Sequence, residues 1–215
     1  MLKISVVINT YNADKYLERV LKSVGEYDEI VICDMYSTDE TLTIAATYNC
    51  KVVMHEKADI VEPARAYAIS QARNEWVLLI DADEVVQKNL IAYLSEAASN
   101  QPNLAGIYIP RKNYMFGQFV RASYPNHLLR FFKRDNIQWP RTIHAHPIIE
   151  GETFKIPKKR EDLAFIHLAN ESMSQTLLKT DRYTNLELER RMKKNYGYGS
   201  LIFEPMFHFL KIYFI

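Results

Sequence analysis

Residues 76–84 read W-V-L-L-I-D-A-D-E, an apolar run that ends in three carboxylates within four positions. The continuous hydrophobicity of Val77 to Ile80 is typical of a strand that is buried on both faces, as in a parallel sheet. Asp81, Asp83 and Glu84 follow the carboxyl end of that strand, where such sheets bind ligands. Because like charges at this spacing repel one another, the cluster indicates a cation or a cationic partner that offsets them. A solvated acidic turn is the alternative.

The composition is that of an ordinary globular chain. Its 215 residues suit one large domain, or one domain with an appendage. With 27 basic and 26 acidic side chains the net charge is +1, so no global field favours nucleic acid as a partner. Cys33 and Cys50 are too few for a disulfide framework. We therefore expect reduced thiols in a cytoplasmic protein.

Neither a targeting segment nor a membrane span is expected. The N-terminal sequence M-L-K-I-S-V-V-I-N-T is too short and too β-branched for a signal peptide. No apolar stretch reaches the roughly 18 to 20 residues of a membrane span. Residues 201–215 are nonetheless strongly apolar and aromatic. They are expected to pack on the body or to make a peripheral contact in a membrane interface, and a sequence that is cut short would end in the same way.

Strands and helices alternate along the first hundred residues. The hydrophobic patterns predict strands at 4–8, 29–33, 51–55 and 76–81. Helices are predicted after each strand, at 16–24 with Gly25 as C-cap, from an N-cap region at 37–40 to about 48, at 62–72 and at 89–98. Strands separated by helices of this length predict right-handed βαβ units and a mostly parallel α/β sheet.

The second half of the sequence has a different character. Strands are predicted at 105–109, 127–132, 142–149 and 163–167, and a long helix from near Ser172 to about Lys194. We therefore divide the chain into an α/β half at 1–100, a strand-rich part of the same domain at 101–170 and a C-terminal helical extension at 171–215.

Four short motifs occur in the order and on the elements of a known enzyme family. They are I-S-V-V-I-N-T-Y-N at 4–12, D-M-Y-S-T-D-E-T at 34–41, A-R at 64–65 and D-A-D-E at 81–84. In these motifs the chain resembles the family-2 glycosyltransferases, which have the GT-A fold. R-F-F-K-R at 130–134 and I-H-A-H at 143–146 resemble the bacterial subgroup that builds lipopolysaccharide core or capsule glycans. The first turn has no dinucleotide-binding or P-loop glycines.

The resemblance implies a nucleoside-diphosphate sugar as donor, usually a uridine one, bound by residues 1–100. Asp83 would ligate the Mg²⁺ or Mn²⁺ ion that bridges the two phosphates, where the metal acts as a Lewis acid. Asp39 is expected to cap the helix that follows it rather than to bind the donor. The residues that would contact the base, ribose or phosphates are Thr10, Tyr11, Asn12, Asp34, Arg65, Asp81 and Ala82.

The sequence leaves the general base unidentified. An inverting transferase needs a base within hydrogen-bond reach of the acceptor hydroxyl. Many family members use a Glu-Asp pair, but the pair here, at residues 161 and 162, lies in a basic loop. Three candidates remain. His144 and His146 share one face of the strand predicted at 142–149, where they would be base and metal ligand or simply two polar residues on an exposed face. Glu84 either acts as the base or complements a helix N-terminus.

Residues 101–170 would form the acceptor side. Seven basic residues at 111, 112, 121, 130, 133, 134 and 141 alternate with aromatic ones at 114, 116, 124 and 139, which is typical of a glycan or phosphorylated-glycolipid groove or of a solvated face. The segment K-I-P-K-K-R at 155–160 is a candidate contact for anionic lipid headgroups.

The leading hypothesis is an inverting, metal-dependent glycosyltransferase that acts on a cell-envelope glycan or glycolipid. It would be cytoplasmic, with a peripheral contact on the inner face of the cytoplasmic membrane as an option. Close relatives often have His-Glu where this chain has His144-Ala145. A non-catalytic nucleotide- or sugar-binding domain is therefore one alternative. A polyprenyl-phosphate glycosyltransferase is another, although that class favours extra membrane segments.

Overall fold

The computed structural model describes residues 2–25, 27–57, 60–140, 146–168, 172–192 and 197–214. Short 3-10 turns lie at Arg121–Ser123, Arg134–Asn136 and Glu161–Leu163. In chain order the strands and helices are β1 (Ile4–Thr10), α1 (Asp14–Val24), β2 (Glu29–Asp34), α2 (Thr41–Thr47), β3 (Lys51–Met54), α3 (Glu62–Ser70), β4 (Trp76–Asp81), β5 (Glu84–Val86), α4 (Leu90–Asn100), β6 (Leu104–Ile109), β7 (Arg111–Met115), β8 (Gln118–Phe119), β9 (Leu128–Lys133), β10 (Ile137–Gln138), β11 (Ile148–Ile149), β12 (Glu152–Lys155), β13 (Phe165–His167), α5 (Met173–Met192) and α6 (Tyr198–Phe214).

The central sheet has seven strands in the order β12-β6-β9-β4-β1-β2-β3. The strands β4, β1, β2 and β3 are parallel neighbours, and β9 runs antiparallel to both β4 and β6. The carboxyl ends of β1, β2 and β4 therefore lie along one edge, with Asn9 paired to Cys33 on one side and to Asp81 on the other. This arrangement confirms the predicted mostly parallel α/β fold.

Both faces of the sheet are covered by apolar side chains. On one face, Val6 and Ile8 of β1 join a cluster that includes the buried residues of α1 and α4. On the other face, Val7 packs with Ala64 and Ala68 of α3. Since successive strand residues point to opposite faces, the uninterrupted apolar runs of β1 and β4 follow from burial on both sides.

A smaller, four-stranded sheet stands beside the carboxyl edge of the central sheet. Its order is β5-β13-β7-β8, and β13 is antiparallel to β5 and parallel to β7. β5 starts three residues after β4 ends, so the acidic segment 81–84 joins the two sheets. His167, the last residue of β13, is paired with Glu84 on one side and with Asn113 on the other.

The elements predicted for the first hundred residues are confirmed within two or three residues at each end, including Gly25, which caps α1 with a φ of 75°. The predicted strand at 142–149 is wrong at His146, which lies outside any strand and is exposed; β11 covers only Ile148–Ile149. Residues 141–145, including His144, lie outside the described residues. The prediction did not include β5, β7, β8, β10 or β12, which are two to five residues long.

Two helices follow the second sheet. α5 corresponds to the predicted helix from near 172, and residues 193 and 194 at its predicted end lie outside the described part. α6 contains Pro205 and exposes many large apolar side chains. Within the described ranges, no helix combines the length and the hydropathy that crossing a bilayer requires.

Candidate active site

The carboxyl ends of β1 and β2 are joined by a buried carboxylate. Asp34 is fully buried, and its Oδ1 accepts hydrogen bonds from Thr10 Oγ1 at 2.7 Å and from Ser37 Oγ at 2.6 Å. Its Oδ2 accepts the Ser37 backbone N–H at 2.7 Å. Asp34 therefore fixes the loop after β2 against the end of β1, and the two strand ends form one rigid wall.

Asn12 completes this wall with a backbone conformation that asparagine tolerates better than most residues. Its φ is 47°, in the left-handed region. The Asn12 backbone N–H donates to Ser37 Oγ at 2.9 Å, and its side-chain Oδ1 accepts the Thr38 N–H at 2.8 Å. The short polar side chain thus replaces a backbone turn and holds the two loops together.

Asp39 accepts hydrogen bonds at the starts of two helices, one of them the following helix that it was predicted to cap. Its Oδ1 accepts the Thr41 backbone N–H at 3.0 Å, at the first residue of α2. Its Oδ2 accepts the N–H of Asp14, the first residue of α1, at 3.1 Å. Burial acts to raise the pKa of Asp39, but the hydrogen bonds from Thr41 and Asp14 outweigh it and lower the pKa below its ordinary value. One carboxylate therefore caps both helices that flank the strand ends.

Aromatic side chains stand at the same edge of the sheet. Tyr11, which follows β1, is 40% exposed, and Lys57 Nζ lies 3.7 Å from its ring centroid. Tyr36, in the loop after β2, is 60% exposed with a φ of 59°. His55 and Tyr67 have ring centroids 5.4 Å apart. These rings offer flat apolar surface beside the polar wall.

Asp81 is held by two arginines from different elements. Arg65 in the first turn of α3 donates Nη2–H to Oδ1, and Arg130 of β9 donates Nη2–H to Oδ2 at 2.5 Å. Burial acts to raise the pKa of Asp81, but the charges of Arg130 and Arg65 outweigh it and hold the pKa well below its ordinary value. The Asp81 carboxylate therefore stays ionised and is shared between the two guanidinium groups.

Glu84 is fully buried in β5 and continues the same network. Its Oε1 accepts from Arg111 Nη1 at 3.0 Å and lies 3.5 Å from Arg130 Nη2. Its Oε2 accepts the backbone N–H of Asp81 at 3.0 Å. Burial lowers the pKa of Arg130, but Asp81 and Glu84 raise it above the ordinary arginine value. We call Arg65, Arg111, Arg130, Asp81 and Glu84 the arginine cluster.

Asp83 faces a histidine rather than an arginine. Its carboxylate Oδ2 is 3.4 Å from Nε2 of His167, and both side chains are partly exposed. The backbone carbonyl of Asp83 accepts the Leu168 N–H at 2.9 Å, which fixes the end of β13 against the acidic segment. The other ring nitrogen of His167, Nδ1, lies 3.0 Å from Asn113 Oδ1. The imidazole is therefore oriented by Asn113 with Nε2 directed to Asp83.

No three histidine, cysteine or acidic side chains come close enough to bind a metal by themselves among the residues that the structure describes. The Asp83–His167 pair still fits a cation that also binds a phosphorylated substrate. Mg²⁺ in such sites takes one or two carboxylates and completes its shell with phosphate oxygens and water. Imidazole nitrogen is a common ligand of softer divalent metals than Mg²⁺.

The structure brings most of the predicted donor residues to one edge of the central sheet, by way of three strand ends and the start of α3. Ala82 is partly buried and packs against the core. His146 is exposed and lies outside any strand, whereas Glu84 is fully buried. The catalytic and binding roles of all these residues stay predictions.

His167, Arg111 and Arg130 were not recognised as parts of one site. His167 stands at the end of a predicted strand, but no local pattern links it to Asp83, 84 positions earlier in the sequence. The sequence places Arg111 and Arg130 either in a basic acceptor groove or on a solvated face. Arg111 instead pairs with the buried Glu84 and Arg130 with the partly buried Asp81, so both are engaged within the arginine cluster rather than lying on an open acceptor face. Their position directly after or within apolar strands was the available signal.

A mostly parallel sheet with an acidic segment after its fourth strand, and a second small sheet beside it, is the architecture of the GT-A sugar-transfer enzymes. The model for "Glycosyl transferase family 2" matches residues 5–150, more than half of the chain. The chain belongs to glycosyl transferase family 2 and is a glycosyltransferase.

Relatives of known sequence agree with this assignment. The chain is 26% identical over 224 residues to the lipopolysaccharide core biosynthesis glycosyltransferase LpsC of Rhizobium meliloti, which covers 99% of this chain and 81% of LpsC. It is 29% identical over 229 residues to an uncharacterized glycosyltransferase of Rickettsia typhi, with 100% and 77% covered. The crystal structure of Staphylococcus aureus TarS 1-349 has the same fold, with a TM-score of 0.57, 20% identity and coverage of 86% of this chain and 66% of that one.

Proposed function

We propose that the chain is an inverting, metal-dependent glycosyltransferase that moves a sugar from a uridine-diphosphate donor to a glycan or glycolipid of the cell envelope. One observation carries the proposal. Asp83 and His167 lie 3.4 Å apart at the carboxyl edge of the sheet, outside the arginine cluster that occupies the neighbouring carboxylates.

The donor nucleotide would lie along the wall formed by the ends of β1 and β2. Tyr11 offers an exposed ring for stacking on the base and Asn12 an exposed polar group, while the buried Thr10 and Asp34 hold the two strand ends in place beneath them. Ligands of open α/β sheets bind at this edge because the strand ends and helix starts present polar groups there. Arg65 and Asp81 lie between this wall and the Asp83–His167 pair, which suits the ribose and phosphates.

The metal would be held by Asp83 and His167, with Mn²⁺ favoured over Mg²⁺ by the imidazole nitrogen. When bound, it would supply Lewis-acid stabilisation of the charge that develops on the diphosphate. His167 is held in the required orientation by Asn113. A hydrogen-bonded partner of this kind is typical of metal-binding histidines.

In the transfer step the acceptor hydroxyl oxygen forms a bond to the anomeric carbon of the donor sugar. The bond from that carbon to the diphosphate oxygen breaks, its electron pair leaves with UDP, and the hydroxyl proton goes to a base. Glu84 is poorly suited to be this base, because it is fully buried and both of its oxygens already accept hydrogen bonds. We infer that Glu84 positions Asp81 and the arginines, and that the base is to be sought near His144 or His146.

The acceptor class rests on sequence similarity. LpsC, which is similar over 99% of this chain, is named for lipopolysaccharide core biosynthesis. A related envelope glycan or glycolipid is therefore the proposed acceptor. Such a substrate would be met at the inner face of the cytoplasmic membrane.

α6 is a candidate for peripheral contact with that membrane. Its exposed large apolar side chains are Leu201, Ile202, Phe203, Met206, Phe207, Phe209 and Leu210. A helix with this much exposed apolar surface and few charges partitions into a bilayer interface. Flotation of the full chain with anionic liposomes tests the contact, and Phe203→Ser should weaken it.

A panel of UDP-, GDP- and dTDP-sugars tests the donor, scored by thermal shift with and without Mn²⁺. A ligand at 100 times its Kd stabilises the folded state by about 2.7 kcal/mol, so a true donor raises the unfolding temperature clearly. We expect a shift with UDP-sugars that requires Mn²⁺. A shift with no sugar nucleotide would contradict the proposal. Slow hydrolysis of the UDP-sugar distinguishes an enzyme from a non-catalytic binding domain.

A further inference from the structure

The turn of the hairpin formed by β7 and β8 contains a phenylalanine, a residue type that this kind of turn does not favour. Tyr114 pairs with Phe119 and Met115 with Gln118, so Phe116 and Gly117 form a two-residue turn. Both have positive φ, 50° and 76°. Turns of this kind favour Asn-Gly, and a bulky side chain in the left-handed region is an outlier. The turn itself therefore does not explain a phenylalanine at position 116.

The same hairpin tip exposes apolar surface to solvent. Met115 is 37% exposed and Phe116 is 47% exposed, although both are large apolar residues. Residues held in unfavourable backbone conformations are often functional. An exposed aromatic side chain in such a conformation indicates a contact with something outside the chain.

The base of the hairpin is packed against a basic loop. Phe119 lies 5.8 Å from Tyr114 and 5.6 Å from Tyr124, measured between ring centroids. Tyr124 donates its hydroxyl hydrogen to the Lys158 carbonyl at 2.8 Å. These contacts place residues 158–160 next to the hairpin base.

The charge around the hairpin is positive. Lys112 pairs with Glu161 at 2.9 Å, and Arg160 pairs with Asp162 at 2.8 Å, so the two acidic side chains of the loop are neutralised. The exposed excess of positive charge comes from Arg121, whose guanidinium lies 5.3 Å from the Phe119 ring, and from Lys158 and Lys159. An apolar tip surrounded by basic side chains is complementary to a bilayer, which has anionic headgroups at its surface and apolar acyl chains beneath them.

The hairpin also starts at the candidate metal site. Asn113 of β7 contacts His167, which contacts Asp83. Met115, the last residue of β7, is two residues further along the strand, roughly 7 Å away at the rise of a β-strand, and Phe116 follows it in the turn. A surface that contacts the tip would therefore lie close to the transfer site.

We propose that the tip, Met115 and Phe116, together with the basic surround of Arg121, Lys158 and Lys159, docks on an anionic phospholipid bilayer. The tip enters the boundary between headgroups and acyl chains, and the cations bind the headgroups. Resting on the proposed function, the docking surface delivers a membrane-anchored acceptor to the Asp83–His167 pair. None of these residues belongs to α6.

Co-sedimentation of the full chain with vesicles tests the docking. Vesicles of phosphatidylcholine with phosphatidylglycerol should bind the protein, and vesicles of phosphatidylcholine alone should bind it far less. Phe116→Asn should weaken partitioning about tenfold to a hundredfold, the scale for removing one aromatic side chain from an apolar environment. Since Asn-Gly suits the turn, this variant should unfold at the same temperature as wild type or higher.

Two further variants sharpen the test. Lys158→Gln with Lys159→Gln should weaken binding to the anionic vesicles by about fivefold for each lost charge. Ile148→Asn is the matched control, because Ile148 is an exposed apolar side chain on β11, and it should bind like wild type. If Phe116→Asn binds the vesicles as tightly as wild type, or wild type does not bind them, the docking proposal is wrong.

Titration with UDP and Mn²⁺ in the absence of vesicles separates this inference from the proposed function. Phe116→Asn should bind UDP like wild type. UDP binding without vesicle binding would overturn the docking surface alone. Vesicle binding that Phe116→Asn weakens, without UDP binding, would support docking by the hairpin and overturn the proposed donor.

Discussion

The arginine cluster and the Asp83–His167 pair contain neighbouring carboxylates in opposite surroundings. Asp81 and Glu84 are held by Arg65, Arg111 and Arg130, whereas Asp83 faces a partly exposed histidine. A carboxylate that accepts hydrogen bonds from arginine has few lone pairs left for another partner. A carboxylate without an arginine partner keeps its lone pairs for a metal. From this difference we propose that Glu84 and the arginines build the site, that Asp81 is held in place beside the donor, and that Asp83 is the residue free to bind a metal.

The largest effect is expected from breaking the arginine cluster. Arg130→Met removes the side chain that lies between Asp81 and Glu84, and leaves the buried Glu84 with Arg111 as its remaining side-chain cation. Removing one partner of a buried ion pair costs about 3 to 5 kcal/mol. Urea unfolding should show this loss as a lower midpoint.

The control for Arg130→Met is Lys22→Met, which breaks the solvent-exposed pair between Lys22 and Glu18. Exposed pairs are screened by water and contribute little. If both variants unfold at the wild-type midpoint, the arginine cluster is not a structural element.

A second, smaller effect is expected on the ligand side. His167→Gln removes a proposed metal ligand and should weaken Mn²⁺-dependent UDP binding by at least the roughly 10- to 100-fold that loss of an outer-shell partner costs, with little change in stability. The exposed His146 provides a comparison. His146→Gln should leave metal-dependent binding unchanged, and a fall in its turnover alone would identify His146 as the base. Equal losses of UDP binding in both variants would contradict the pairing of Asp83 with His167.

The smallest effect concerns the pH dependence of stability. The pKa of Asp81 is depressed in the folded state, so its ionised form stabilises the fold above the unfolded value of about 3.9. That stabilisation is lost as the pH falls through the lower, folded-state pKa. The stability difference between wild type and Asp81→Asn should therefore be constant from pH 7 to about pH 5 and shrink below about pH 4. Urea unfolding across this range measures it, and a difference that grows on acidification would contradict the ion pairs.

The central sheet was predictable because its signals are local. Continuous apolar runs such as 77–80 and the helix-start residues at 37–40 identify βαβ units without tertiary information. The different partners of the carboxylates at 81–84 were not predictable, because they include Arg130 and His167, which lie far away in the sequence. The exposed position of His146 outside any strand was not predictable either, because the alternation of side chains with a period of two predicted a strand there.

Isothermal titration of UDP in the presence and absence of Mn²⁺, with wild type and Asp83→Asn, tests the role of Asp83 most directly. The amide keeps the size of the side chain but removes the charge that would bind the metal. Wild type should bind UDP far more tightly with Mn²⁺, and Asp83→Asn should lose that metal dependence while unfolding at the wild-type midpoint. Unchanged Mn²⁺-dependent binding in Asp83→Asn would show that the open carboxylate is not the metal ligand.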